Sequence, residues 1–127
     1  MPSVRIELKE GQTPSFIKSF MDLVHQSMVE VVKIPADDKN IRVLEYKPDF
    51  FVSKPPYEYF IEITMFAGRS KETKSELFKT IVSKLQAVLN IEPANVFIIV
   101  NDPPKENWGL RGGISGADIQ FGFKIEV

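Results

Sequence analysis

The stretches Val4–Thr13, VRIELKEGQT, and Phe60–Ser70, FIEITMFAGRS, decide the fold. In the first, Val4, Ile6 and Leu8 alternate with Arg5, Glu7 and Lys9, the period of two that marks a strand with one buried face. Gly11 then turns the chain, Thr13 offers a capping hydroxyl, and Pro14 suits the first helical position. Beyond it Phe16, Phe20, Val24, Met28, Val31 and Val32 recur mostly at spacings of three and four, with Lys18, Asp22, Gln26, Glu30 and Lys33 opposite. That pattern predicts an amphipathic helix of about five turns. IPADDKN (34–40) ends it, and IRVLEY (41–46) reads as a second strand. The second stretch repeats the plan. YFIEITMF (59–66) is a strand, AGRSKETK (67–74) turns into a helix capped by Ser70, and Leu77, Phe78, Ile81, Leu85, Val88 and Leu89 make its apolar face. Asn90 and Pro93 lie past its end, and NVFIIVN (95–101), a continuous apolar run, reads as a buried central strand.

Laid side by side, Gly11 falls on Gly68, Ile34 on Ile91, and Pro48 on Pro103 after a two-residue shift, a period of 55 to 57. Each half is a βαβ unit, whose strands run parallel with a right-handed crossover. The expected fold is α+β (α/β within each unit): two tandem βαβ units forming one four-stranded mixed sheet, with both helices on one face. The chain reads as a single domain, 1–127, of two pseudo-repeats at about 2–48 and 59–104. A C-terminal piece, 105–127, carries the glycine-rich ENWGLRGGISGAD, whose composition predicts a hairpin, and closes with IQFGFKIEV, whose alternation predicts a strand. Nothing is left to cover the second face of the sheet, which points to an oligomer packed sheet to sheet.

Bulk composition narrows the function. The 127 residues suffice for one domain that buries roughly two-thirds of its unfolded surface. Lys plus Arg number 16 against 17 for Asp plus Glu, a net charge of -1, so no overall field recruits nucleic acid or an anionic membrane. There is no cysteine, which excludes disulfides, thiolate catalysis and zinc–thiolate sites. No signal peptide is readable, and no apolar run approaches the roughly 20 residues that span a bilayer. A cytoplasmic protein is expected. The one histidine, His25, falls in the first helical pattern and reads as a partly exposed helix residue. No cofactor or metal is called for.

Pro2 follows Met1 directly. If Met1 is removed, Pro2 becomes a free secondary amine, which can serve as a base; otherwise it is the start of a frayed end. With the repeat in view, a two-βαβ chain beginning at Pro2 resembles the tautomerase superfamily, whose members build their active site around an amino-terminal proline. AGRSKETK and WGLRGGISGAD (108–118) resemble the "GRS…K" turn and "FGIGGE" hairpin of 4-oxalocrotonate tautomerase. IPADDKN resembles the malonate semialdehyde decarboxylase branch, also fused two-unit chains of this length. The resemblance spans residues 2 to 120. It implies a homotrimer, a small carboxylate substrate, and site residues matched one by one. The arginine after the turn glycine is Gln12 in the first half and Arg69 in the second. The second-strand arginine is Arg42 in the first half, where the second has Phe97. The hairpin aromatic is Trp108. Asp38 matches an aspartate that the decarboxylase and hydratase branch uses to orient water or substrate. The duplicated halves have thus specialised, as in a fused dimer with one surviving site.

The chemistry implied is keto–enol tautomerisation of a small 2-oxo acid, with Pro2 as general base. A terminal amine has an ordinary pKa near 8, lowered by burial and by nearby cations. Arginine forks hold a carboxylate and stabilise an enolate, and Trp108 would exclude water. Each residue also has a structural reading: Arg69 as a turn residue met by solvent or Glu72, Arg42 in a salt bridge, Trp108 as an interface anchor, Asp38 as a turn former. Arg111, beside two glycines, either touches an anion or nothing. The runner-up is decarboxylation or hydration of a 3-oxo acid with Pro2 protonated and Asp38 assisting; the decarboxylase branch carries an arginine where this chain has Ala67, which weakens that reading. A third is a non-catalytic trimeric binding protein.

Overall fold

The computed structural model describes residues 2–127; the expected loss of Met1 lies outside the described residues. Strand β1 spans Ser3–Lys9, β2 Ile41–Tyr46, β3 Tyr59–Thr64 and β4 Val96–Asn101. They form one sheet in the order β2-β1-β3-β4. β1 runs parallel to β2 and β3 parallel to β4, while β1 and β3 are antiparallel at the centre. Arg5 stands opposite Glu62, its equivalent when Gly11 is laid on Gly68, so a pseudo-twofold axis passes between them.

The repeat extends to backbone detail. Helix α1 spans Pro14–Ser27, capped by Thr13 Oγ1, which accepts from the Phe16 amide at 3.1 Å. It continues as a π-helical turn over Met28–Val32, so the predicted length is reached with a different geometry in its last turn. Helix α2 spans Lys71–Leu89, capped by Ser70 Oγ, which accepts from the Thr73 amide. Both helical stretches end on a left-handed residue at matching positions, Lys33 and Asn90. Both helices are entered just after a glycine at positive φ, Gly11 and Gly68.

The helices lie side by side on one face of the sheet, with Lys84 of α2 paired to Glu30 at 3.2 Å. Between the layers sit Val4, Ile6, Leu8, Ile61 and Ile63 from the sheet, Phe20, Val24 and Met28 from the first helix, and Leu77, Ile81 and Leu85 from the second. Burial of each such side chain stabilises the fold by about 1.5–3 kcal/mol. The other sheet face is covered only in part, by Phe51 and Tyr57 packing on Phe60 and Phe97; Leu44, Phe97 and Ile99 stand on it about two-fifths exposed.

Three expectations are corrected. NVFIIVN is an edge strand and not a central one, with alternating burial along it. Its unbroken apolar run supplies one face to the helices and the other to the open side of the sheet. IQFGFKIEV forms no strand; among the described residues the hairpin is only β5, Gly109–Leu110, and β6, Ile114–Ser115. The alternation of Phe121, Phe123 and Ile125 is real, but it packs them inward as single side chains, with Ile125 buried. His25 is buried and not partly exposed. Its Nε2 donates to the Ala36 carbonyl at 2.7 Å, tying α1 to the loop that carries Asp38. Replacing His25 by leucine is expected to lower stability by about 1–3 kcal/mol, because a carbonyl at this packed joint loses its donor; a denaturant melt measures it.

Candidate active site

The edge of the sheet where β1 and β2 begin and β3 and β4 end gathers the residues singled out above. Pro2 is buried at the head of β1, not frayed. The next residue, Ser3, stands opposite Thr64, and Thr64 stands beside Asn101. Beyond β3 the chain passes Met65 and Phe66, both buried, and turns at Gly68. Gly68 has φ +137, and a Cβ there would lie 2.9 Å from Ile125 Cγ2, so no other residue fits without strain. This turn aims Arg69 inward, immediately before the start of α2.

Arg69 is only 6 % exposed. One of its terminal nitrogens, Nη1, donates to the Phe66 carbonyl at 3.0 Å, while Nε is buried with no partner among the described residues. Burial pulls the guanidinium below its ordinary pKa, partly offset by the Glu126 carboxylate. It remains a cation at neutral pH. A buried guanidinium with an unused donor is costly, and an incoming carboxylate is the group that relieves it. The reading of Arg69 as a solvated turn residue does not hold.

Trp108 packs edge-on against Phe66, ring centres 4.7 Å apart, and its Nε1 donates to the Pro103 carbonyl at 3.3 Å. Its place is set by Gly116, whose amide donates to the Trp108 carbonyl and where a Cβ would meet the Lys105 carbonyl oxygen at 2.7 Å. Phe66 also touches Phe121, at 4.8 Å, and Arg111 stands over the Phe121 ring at 5.9 Å. Arg111 and Asp38, far apart in sequence, line one open cleft of about 320 Å³ with Pro35, Asp37, Phe121 and Phe123. Asp38 is half-buried, and its amide donates to the Pro35 carbonyl at 3.0 Å.

Arg42 stands apart from this cluster. It lies exposed on the open face of β2, where Nη2 donates to Ser3 Oγ at 3.2 Å. That bond reaches toward the Pro2 end of β1. Its register neighbour is Arg5, which pairs with Glu62 at 2.9 Å; Asn101 Nδ2 donates to the other Glu62 oxygen. Arg69, Trp108, Arg111 and Asp38 are thus connected through Phe66 and Phe121. Pro2 lies at the same end of the sheet, one residue before the Ser3–Thr64 pair, and Arg42 is held on a different face. Phe66, Phe121 and Arg5 were not singled out from sequence. The alternation of IQFGFKIEV was the available signal for Phe121, and that of SVRIELKE placed Arg5 on the polar side. Among the described residues, no group of three or more His, Asp or Glu side chains comes together as a metal site requires.

A family model described as "Tautomerase enzyme" matches residues 38–111. The chain belongs to the tautomerase family. It is 27% identical over 121 residues to the probable tautomerase YusQ of Bacillus subtilis (strain 168), covering 89% of this chain and 95% of that protein. It is 38% identical over 53 residues to a 2-hydroxymuconate tautomerase of Comamonas testosteroni, covering 42% of this chain and 84% of that one. The latter is the length of one βαβ half, consistent with a duplicated tautomerase unit. Among solved structures, malonate semialdehyde decarboxylase superposes with TM-score 0.79 at 24% identity, covering 87% of this chain and 92% of that one. A native fused 4-OT superposes with TM-score 0.82 at 17% identity, covering 91% and 96%. These two likenesses establish the tandem tautomerase fold. The tautomerase relatives make the chain an enzyme of this family.

Proposed function

We propose that the chain is a cofactor-free tautomerase that isomerises a small enolisable 2-oxo acid, with Pro2 as general base once Met1 has been removed. The observation that carries this is Arg69: a buried cation with an unused donor, on the same sheet edge as Pro2. A carboxylate bound to Arg69 would lie close to Phe66, which packs on Trp108, and these apolar surroundings would strengthen the ionic grip. A cation brought close to the amine at this end of the sheet would oppose its protonation and keep it free to accept a proton near neutral pH. The substrate loses a proton from carbon or enol oxygen to Pro2, negative charge grows on the enolate oxygen, and the proton returns at the other position.

The partly covered sheet face favours a homotrimer, since Leu44, Phe97 and Ile99 need cover and fused 4-OT structures of the same fold are trimers. Arg42 lies on that face, so its charge would serve a site at the seam between copies. We read the protein as cytoplasmic; no helix among the described residues is long and apolar enough to cross a membrane.

The second reading, decarboxylation or hydration of a 3-oxo acid, draws on Asp38 and Arg111 lining one cleft. It requires Pro2 as a charged acid, and Ala67 offers no cation to polarise the carbonyl. A pH profile separates the two. For a free-amine base, kcat/KM for ketonisation of phenylenolpyruvate rises with pH and levels off above the amine's pKa, at or below about 8. For a charged-amine acid it falls across the same interval. Intact mass must first confirm that Met1 is gone, since an acylated Pro2 nitrogen has no basicity, and a chain that keeps Met1 would fit the binding-protein reading.

A further inference from the structure

The last nine residues, 119–127, pair with no strand, yet they cover the most unusual charge in the molecule. The Ser70 amide donates to the Val127 carbonyl oxygen at 3.0 Å. Ile125 is buried against Gly68, Phe121 packs on Phe66, and the Glu126 carboxylate acts on Arg69. The segment lies over the Gly68–Ser70 turn, in which Arg69 is buried. Its hold is incomplete: a cleft of about 340 Å³ runs along it, bordered by Lys105, Phe121, Phe123 and Ile125. Ile125 also lies outside the main core cluster. A segment without strand pairing, packed on one turn beside a cleft, belongs to the part of a fold that opens before the core does.

We propose that residues 119–127 act as a movable cap, which must lift from the Gly68–Ser70 turn before an anionic ligand can reach Arg69. The closed cap leaves Arg69 Nε without a partner among the described residues, and the exposed Glu126 carboxylate makes no ion pair with it. A carboxylate ligand supplies the acceptor that the closed cap does not. Ligand therefore binds the open arrangement better than the closed one, which is what makes the cap responsive to ligand. A cap open in about one molecule in ten weakens apparent affinity about tenfold relative to a chain without it. The proposal rests on the reading of Arg69 as the grip for the substrate carboxylate.

The test compares the intact chain with Ile125→Ser, which loosens the cap without touching Arg69, and with Glu126→Gln, which removes the cap's own carboxylate. Phenylglyoxal labelling of Arg69, read by peptide mass spectrometry, reports access without using activity. In the intact chain Arg69 is expected to label at least about tenfold more slowly than in the same chain unfolded in urea, and Ile125→Ser to recover most of that difference. KM for phenylenolpyruvate is expected to fall in both variants with kcat little changed. Fast labelling of Arg69 in the intact chain would overturn the cap, as would slow labelling in an Ile125→Ser chain whose circular dichroism is native. If labelling rises as expected but KM stays fixed in both variants, the cap covers Arg69 without gating substrate, and the assignment of Arg69 as the grip is what fails.

Discussion

Replacing Pro2 by alanine is expected to lower kcat/KM for ketonisation of phenylenolpyruvate by about 100-fold or more, the usual loss on removing a positioned general base. The loss should fall mainly on kcat, because Pro2 moves the proton and Arg69 holds the carboxylate. The variant keeps a terminal amine after Met1 removal, so the experiment removes the ring and not the charge type. The ring fixes the direction of the nitrogen lone pair at the head of β1, where Pro2 is buried. A flexible primary amine at that point samples many directions, and a small misplacement of a reacting group costs rate steeply. The fold should be unaffected, since Pro2 precedes the first strand pair, Ser3 with Thr64. A second chain that retains Met1, verified by intact mass, should show at least as large a loss. Equal activity in all three chains would remove Pro2 from the mechanism.

The strands and helices were legible because their signals are local. SVRIELKE alternates, Thr13 and Ser70 cap, and each is confirmed in place. The order of strands was less so. An unbroken apolar run cannot distinguish a central strand from an edge strand whose outer face awaits a partner, and β4 is the latter. His25 was misread because helical spacing shows which side a residue takes but not what loop folds back onto it; here the Ala36 carbonyl does. IQFGFKIEV has strand alternation, but among the described residues it pairs with no strand. The candidate site shows the same division. Gly68 and Arg69 could be matched through the repeat, whereas the packing of Ile125 against Gly68, over fifty residues away in sequence, could not. The contacts joining Phe66 to Trp108 and to Phe121 likewise follow from tertiary packing alone.

Replacing Arg69 by methionine is expected to lower kcat/KM by about 100- to 1000-fold, the range seen when one charge-stabilising donor is lost from an active site. The more telling expectation is that stability does not fall with it. Arg69 is nearly fully buried, its pKa is depressed by that burial, and it leaves Nε without an acceptor. Removing such a cation relieves a desolvation penalty. Against this stands the Phe66 carbonyl, which loses a donor at a cost of about 1 kcal/mol. Methionine fills a similar volume with a flexible apolar chain that suits the surrounding Phe66 and Ile125. The two effects oppose each other, so the unfolding free energy should stay within about 1 kcal/mol, or roughly 4 °C in Tm for a domain of this size. A residue kept for structure behaves in the opposite way, losing stability and activity together. A fall of more than about 10 °C would therefore assign Arg69 to the scaffold. Lost activity in a chain that melts no lower would show that the fold tolerates this charge for the sake of the ligand it binds.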